Sequence, residues 1–152
     1  MAVLPIYNSF HPVLNKPTKF IDEIDDDVIA LANNMLETLH NTGNGIGLAA
    51  NQVGVSKSLI IIDLSASKEF KNQKPIVMIN PTIASFSEEL VEYEEGCLSV
   101  PDFYEKIMRP STIQVIYYDL KGKEYNLDED SLLARVMQHE IDHLNGILFY
   151  QR

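Results

Sequence analysis

His139, Glu140 and His143 form the sharpest chemical pattern in the chain. On a helix, residues four apart share one face about a turn apart, so His139 and His143 can offer two imidazoles to one metal ion. Glu140 sits one step round the helix, outside that ligand pair but within reach of a water that the ion would activate. This is the layout of a hydrolytic metal site. The bland alternative, a solvated helix with scattered polar residues, fits less well because both histidines lie beside the apolar stripe.

A catalytic metal of this kind usually has three protein ligands and one open position. Residues 144–152 contain no His, Cys, Asp or Glu, so the third ligand is expected upstream. Cys97, His11, His40 and many carboxylates are candidates, and Cys97 is the most distinctive because a thiolate binds a borderline metal strongly. It follows Glu95 and Gly96 directly, and a glycine there would let the backbone approach an ion. Taken alone, a single cysteine is more often a buried inert thiol. It cannot form an internal disulfide, which fits a reducing compartment.

The elements that must hold these residues can be read from periodicity. Val28, Leu31, Ala32, Met35, Leu36 and Leu39 recur at helical spacing after a capping Asp25 or Asp26, which predicts an N-terminal amphipathic helix ended by Gly43. A glycine-rich turn, 43–47, follows; by composition alone it could be only a helix stop and a tight turn. Strand-like runs come at 58–64, 75–80, 85–93, 112–120 and 123–127, the last two joined through Lys121 and Gly122. Leu132, Leu133, Val136, Met137, Ile141 and Leu144 then supply the stripe of a late helix, with caps at 128–131 and a stop at Asn145 and Gly146. The expected class is α+β, with mostly antiparallel strands packed around a late metal-binding helix. Residues 1–19, broken by Pro5, Pro12 and Pro17, should be irregular.

With 152 residues and no repeat or linker, one domain spanning 1–152 is expected. The net charge of −10 disfavours a surface that wraps nucleic acid, and no nucleic-acid motif is present. The apolar runs fall well short of the roughly 20 residues a membrane span needs. The first 20 residues lack the basic head, apolar run and cleavage site of a secretory signal, so the default compartment is the cytosol.

Three segments stand in order: Gly45-Ile46-Gly47-Leu48-Ala49-Ala50-Asn51-Gln52, then Glu95-Gly96-Cys97-Leu98-Ser99, then Gln138-His139-Glu140-Ile141-Asp142-His143-Leu144-Asn145-Gly146. Their sequences and spacing resemble the peptide deformylases, from about Pro12 to Phe149. The resemblance implies removal of the formyl group from the formylmethionine of newly made polypeptides. It implies Cys97, His139 and His143 as ligands of one divalent metal, Fe2+ natively, with Zn2+, Ni2+ or Co2+ able to substitute. Glu140 would be the general base and acid, with Gln52 and the Leu98 N–H facing the substrate oxyanion. Gly45, Ile46 and Gly47 are expected to hold the substrate as an added strand, with Leu132 and Val136 as walls of the methionine pocket. Nascent formyl-Met chains are the implied partners, together with a transient ribosome contact, in the cytoplasm or as an organellar mature form. Arg135 and Tyr104 depart from the family pattern, standing where many members have an apolar residue and where some have an arginine. The competing readings are a metal-dependent peptidase or amidase for another acyl group, and a non-catalytic metal- or peptide-binding module.

Overall fold

The computed structural model describes residues 2–67 and 70–151. In chain order the regular elements are α1 (Asp26–Thr42), β1 (Gly47–Ala49), β2 (Leu59–Ile62), β3 (Ile76–Phe86), β4 (Leu90–Cys97), β5 (Val100–Pro110), β6 (Ile113–Tyr118), β7 (Glu124–Glu129) and α2 (Ser131–Leu144). Short 3-10 turns lie at Pro12–Asn15, Ala50–Val53 and Phe149–Gln151. No helix among the described residues is long and apolar enough to cross a membrane.

The Asp25 carboxylate accepts from the Val28 N–H at 3.0 Å and starts α1. Gly43 ends it in the left-handed region at φ 78°, donating its N–H to the His40 carbonyl. The expected helix is therefore present with its expected caps.

Five strands form an antiparallel sheet in the order β1-β2-β3-β6-β7, with β1 at one edge. β2 explains how both helices pack on it. Successive side chains on a strand face opposite ways. Accordingly, Ile60 and Ile62 join the apolar cluster beneath α2, while Leu59 and Ile61 join the cluster beneath α1. All four are fully buried, so this strand reads as a continuous apolar run rather than an alternating one.

β4 and β5 form a separate two-stranded hairpin. Here the expected strands need correction. The run expected at 75–80 continues through Pro81 to Phe86, with register shifts against β6 that accommodate the proline. The run expected at 85–93 is divided by a turn whose Ser87 N–H donates to Thr112 O, so its halves belong to different sheets. β5 was not anticipated at all. It contains two prolines and four charged side chains, and its two buried residues are Ile107 and Arg109, so it lacks the apolar alternation that marks a half-buried strand.

Candidate metal centre

α2 is buried from Leu133 to Leu144, including every polar residue between them. His139 and His143 lie on one face with ring centroids 5.0 Å apart. The β4–β5 hairpin brings in Cys97, at a register shift between Gly96 and Cys97, and sets Sγ 3.2 Å from His143 Nε2. One donor atom from each of Cys97, His139 and His143 lies within 4.8 Å of the others. The two alternative histidines are engaged elsewhere. His11 Nδ1 accepts from Val13 N, and His40 Nε2 pairs with Asp63 at 2.6 Å.

His139 Nδ1 sits 2.8 Å from Glu95 Oε1, which leaves its Nε2 for the metal side. Glu95 is itself held in a buried ionic cluster. Arg109 donates Nε to Oε2 at 2.6 Å and Nη2 to Oε1 at 3.0 Å, Arg135 donates Nη1 to Oε2 at 2.6 Å, and Arg109 Nη1 reaches Asp142 at 2.7 Å. Burial would raise the Glu95 pKa, but the bonds from His139, Arg109 and Arg135 outweigh it and hold the carboxyl well below its usual range. For His139, burial opposes charge, yet bonds to Cys97 and Glu95 and the charge of Glu140 push the imidazole up to about 10. A cation seated between the ligands would replace that proton, because metal ligands bind deprotonated. Burial and the neighbouring His139 charge push His143 well down, toward the neutral form a ligand needs.

These donors open onto a cleft of about 440 Å3. Gly45, Ile46, Gly47, Gln52, Leu98, Leu132, Val136 and Glu140 all line it with Cys97 and His139, so every residue expected at the site except the buried ligand His143 faces one space. Glu140 Oε1 is buried with no hydrogen-bond partner, and burial pushes its carboxyl up to about 7. A carboxylate left unpaired beside two imidazoles and a thiol fits a site built around a cation and its water. Gln52 Oε1 accepts from Ala49 N at 2.9 Å, which turns Nε2 toward Ser99 Oγ at 3.1 Å and Cys97 Sγ at 3.5 Å. The amide thus points a donor at the metal side of the cleft.

Two glycines act through close approach. A Cβ on Gly47 would stand 2.7 Å from Glu140 Oε2 and 2.9 Å from Val136 Cγ1. The bare backbone of β1 therefore lets α2 bring Glu140 against the cleft. A Cβ on Gly96 would meet the Tyr104 ring at 2.5 Å. What the structure shows at Gly96 is room for the cross-strand ring of Tyr104, which lines the cleft.

Sequence reasoning missed Glu95 as the partner of His139, and Arg109 and Asp142 as its supports. It also missed Asn51, whose Nδ2 donates to the His143 carbonyl, and Ser99 beneath Gln52. The signal available was Glu95 two residues before Cys97, on the same face of a strand. Arg135, noted as a departure, is buried and bonded rather than loose in the pocket.

The sequence matches the Polypeptide deformylase family profile over residues 3–152. The chain belongs to the polypeptide deformylase family. It is similar to the peptide deformylase of Agrobacterium fabrum, 44% identical over 98% of this chain and 86% of that one, and to that of Rhizobium meliloti, 46% identical over 98% and 84%. Among solved structures it is similar to the Thermotoga maritima peptide deformylase, with TM-score 0.92, 34% identity, and coverage of 100% of this chain and 98% of that one. The Synechococcus elongatus peptide deformylase, solved in complex with actinonin, aligns with TM-score 0.89 and 42% identity over 98% of this chain and 78% of that one. The deformylase activity follows: this metallohydrolase removes the N-formyl group from nascent polypeptides. Cys97, His139 and His143 make its site for a single divalent metal.

Proposed function

We propose that residues 1–152 work as one catalytic domain in which Glu140 moves the proton and Gln52 and the Leu98 N–H receive the oxyanion. The observation that carries this reading is the unpaired, buried Glu140 carboxylate lining the same cleft as Cys97, His139 and the Gln52 amide. Cys97, His139 and His143 would hold the ion, Fe2+ in the native enzyme, with Zn2+, Ni2+ or Co2+ as substitutes. When bound, it would supply Lewis acidity and bring a water within reach of deprotonation near neutral pH.

Glu140 takes a proton from the attacking water; a carboxyl raised to about 7 is well matched to accept it and later give it to the departing amine. As charge moves onto the formyl oxygen, the Gln52 Nε2 donor, already aimed by Ala49 N, stabilises it. Leu98 lies in the two-residue turn between β4 and β5, where a backbone N–H can serve as the second donor. Gly45 and Ile46 lead into the edge strand β1, which Gly47 opens, and such an edge pairs with an extended peptide. Leu132 and Val136, one turn apart on α2, then wall the methionine side chain. Nascent chains as substrates suit a cytoplasmic enzyme with transient ribosome contact.

An anaerobic assay with Fe2+ on formyl-Met-Ala-Ser tests this reading. Wild type should release formate, and Glu140→Ala should lose nearly all turnover while retaining one metal ion. Wild type that holds one ion yet releases no formate would overturn the roles assigned here. Cys97→Ala should abolish stoichiometric metal binding; full occupancy would remove Cys97 from the ligand set. A matched acetyl-Met peptide should not turn over.

A further inference from the structure

Cys97 is mounted on a hairpin that the apolar core grips only at its tip. Among the described residues, neither hydrophobic cluster contains a residue of β4 or β5; Leu98, in the turn between them, packs against the cluster beneath α1. Ile107, the hairpin's buried aliphatic, lies outside both. Nor does the hairpin share a hydrogen-bonded ladder with the five-stranded sheet. Its tip is tethered by Ser99, through Gln52 Nε2 to Oγ and Ser9 N to O, and Phe103 packs on Phe149 and Tyr150.

Along its length the hairpin is fastened to α2 by polar side chains. Gln138 donates to Pro110 O at 3.0 Å, and Asp142 accepts from Arg109. Arg135 makes the widest set of contacts. It donates Nη2 to Val91 O on β4 at 2.7 Å, and Nη1 to Ile107 O on β5 at 3.1 Å and to Glu95 Oε2 at 2.6 Å; its guanidinium lies 5.1 Å from the Tyr93 ring centroid. One buried fork thus ties both strands to the helix that carries His139 and His143.

We propose that Arg135 is a positioning residue for the Cys97 ligand: it clamps the β4–β5 hairpin onto α2 and so sets the thiolate against the two imidazoles. The inference rests on the Cys97–His139–His143 metal site. Docking of the hairpin and binding of the ion are then linked, because an ion bridging Cys97 to α2 fastens the same interface from its other end. Linkage is reciprocal. Whatever loosens the clamp weakens the metal, and removing the metal loosens the hairpin.

The test uses Co2+ with the full chain, comparing wild type, Arg135→Leu and Arg135→Lys by chelator competition, the thiolate-to-cobalt absorption band and amide hydrogen exchange. Arg135→Leu should weaken Co2+ by about 10-fold or more, as losing an outer partner of a ligand does. It should speed exchange at 90–110 while leaving β2 and β3 unchanged. Arg135→Lys should recover part of the affinity, since an ammonium can meet Glu95 but cannot span both carbonyls. Should the leucine variant not fold, wild type decides: Co2+ should slow exchange in the hairpin more than in β2 and β3. Equal slowing everywhere, or an Arg135→Leu affinity within about two-fold of wild type, would overturn the proposal. Wild type that binds one Co2+ with a thiolate band upholds the metal site in either case, so the two failures are distinguishable.

Discussion

Glu95 on β4 and His139 on α2 meet across 44 residues of sequence, Oε1 to Nδ1 at 2.8 Å. The bond orients the imidazole so that its other nitrogen faces Cys97 and His143. The carboxylate that does this is gripped by two arginines, so the ligand's orientation is inherited from a buried ionic cluster.

Glu95→Gln keeps an acceptor for His139 but takes the carboxylate charge from Arg135 and leaves Arg109 with Asp142 as its remaining ionic partner. Metal affinity should fall about 10- to 100-fold, as for other partners that orient a ligand. Stability should fall by about 3–5 kcal/mol, the usual cost of removing one member of a buried ion pair. Chelator competition and urea unfolding measure the two effects separately. Wild-type metal affinity in the glutamine variant would mean the ring is oriented by packing, with Phe149, centroid 5.8 Å away, as the obvious source.

The same carboxylate shapes the acid limb of the stability curve. Burial alone would raise its pKa, but the bonds from His139, Arg109 and Arg135 depress it below the ordinary 4.5. A group whose folded pKa is depressed contributes its full stability above the unfolded value and loses it as pH falls toward the folded one. Unfolding free energy should therefore decline below about pH 4.5, and Glu95→Gln should flatten that decline. Urea titrations at a series of pH values read both slopes. An acid limb of unchanged steepness in the variant would assign the effect to other carboxylates, Asp63 foremost, whose pKa is also lowered.

Gly47→Ala places a methyl 2.7 Å from Glu140 Oε2 and 2.9 Å from Val136 Cγ1. Relief requires both the Glu140 side chain and Val136 to shift. A displacement of this size should lower kcat/KM by about 10^2 while metal content stays at one ion. Full activity in the alanine variant would show that Glu140 has room to function elsewhere in the cleft.

Gln52→Ala removes the donor that Ala49 N aims and that Ser99 supports. With the metal retained, kcat should fall about 10^2- to 10^3-fold, in line with loss of one oxyanion donor. Ser99→Ala keeps the Ala49 bond and should cost far less. Equal losses in the two variants would indicate that Gln52 acts by holding the hairpin tip.

Local pattern carried much of this fold. α1 was legible because its apolar spacing, Asp25 cap and Gly43 stop all agree, and β2 because four consecutive apolar residues bounded by polar ones can hardly be anything but a buried strand. The turn dividing β3 from β4 was not legible. Ser87, Glu88 and Glu89 carry neither glycine nor proline, and the break is made by a long-range bond from Ser87 N to Thr112 O. β5 was hidden for a related reason: Arg109 and Glu95 turn inward because they pair with each other, which no periodicity of one strand can express.

The metal-binding pair could be read from the residues alone, with Glu140 set beside it, because His139, Glu140 and His143 depend only on the pitch of one helix. Through its three motifs it also determined the family and the activity. What orients those ligands emerges only when distant segments pack together. Glu95, Arg109, Arg135 and Asp142 are scattered along the chain and look like ordinary surface charges until a strand hairpin and a helix close over them. Burial turns them into a paired cluster, since charges taken from water must find each other, and that requirement acts between elements rather than along a segment.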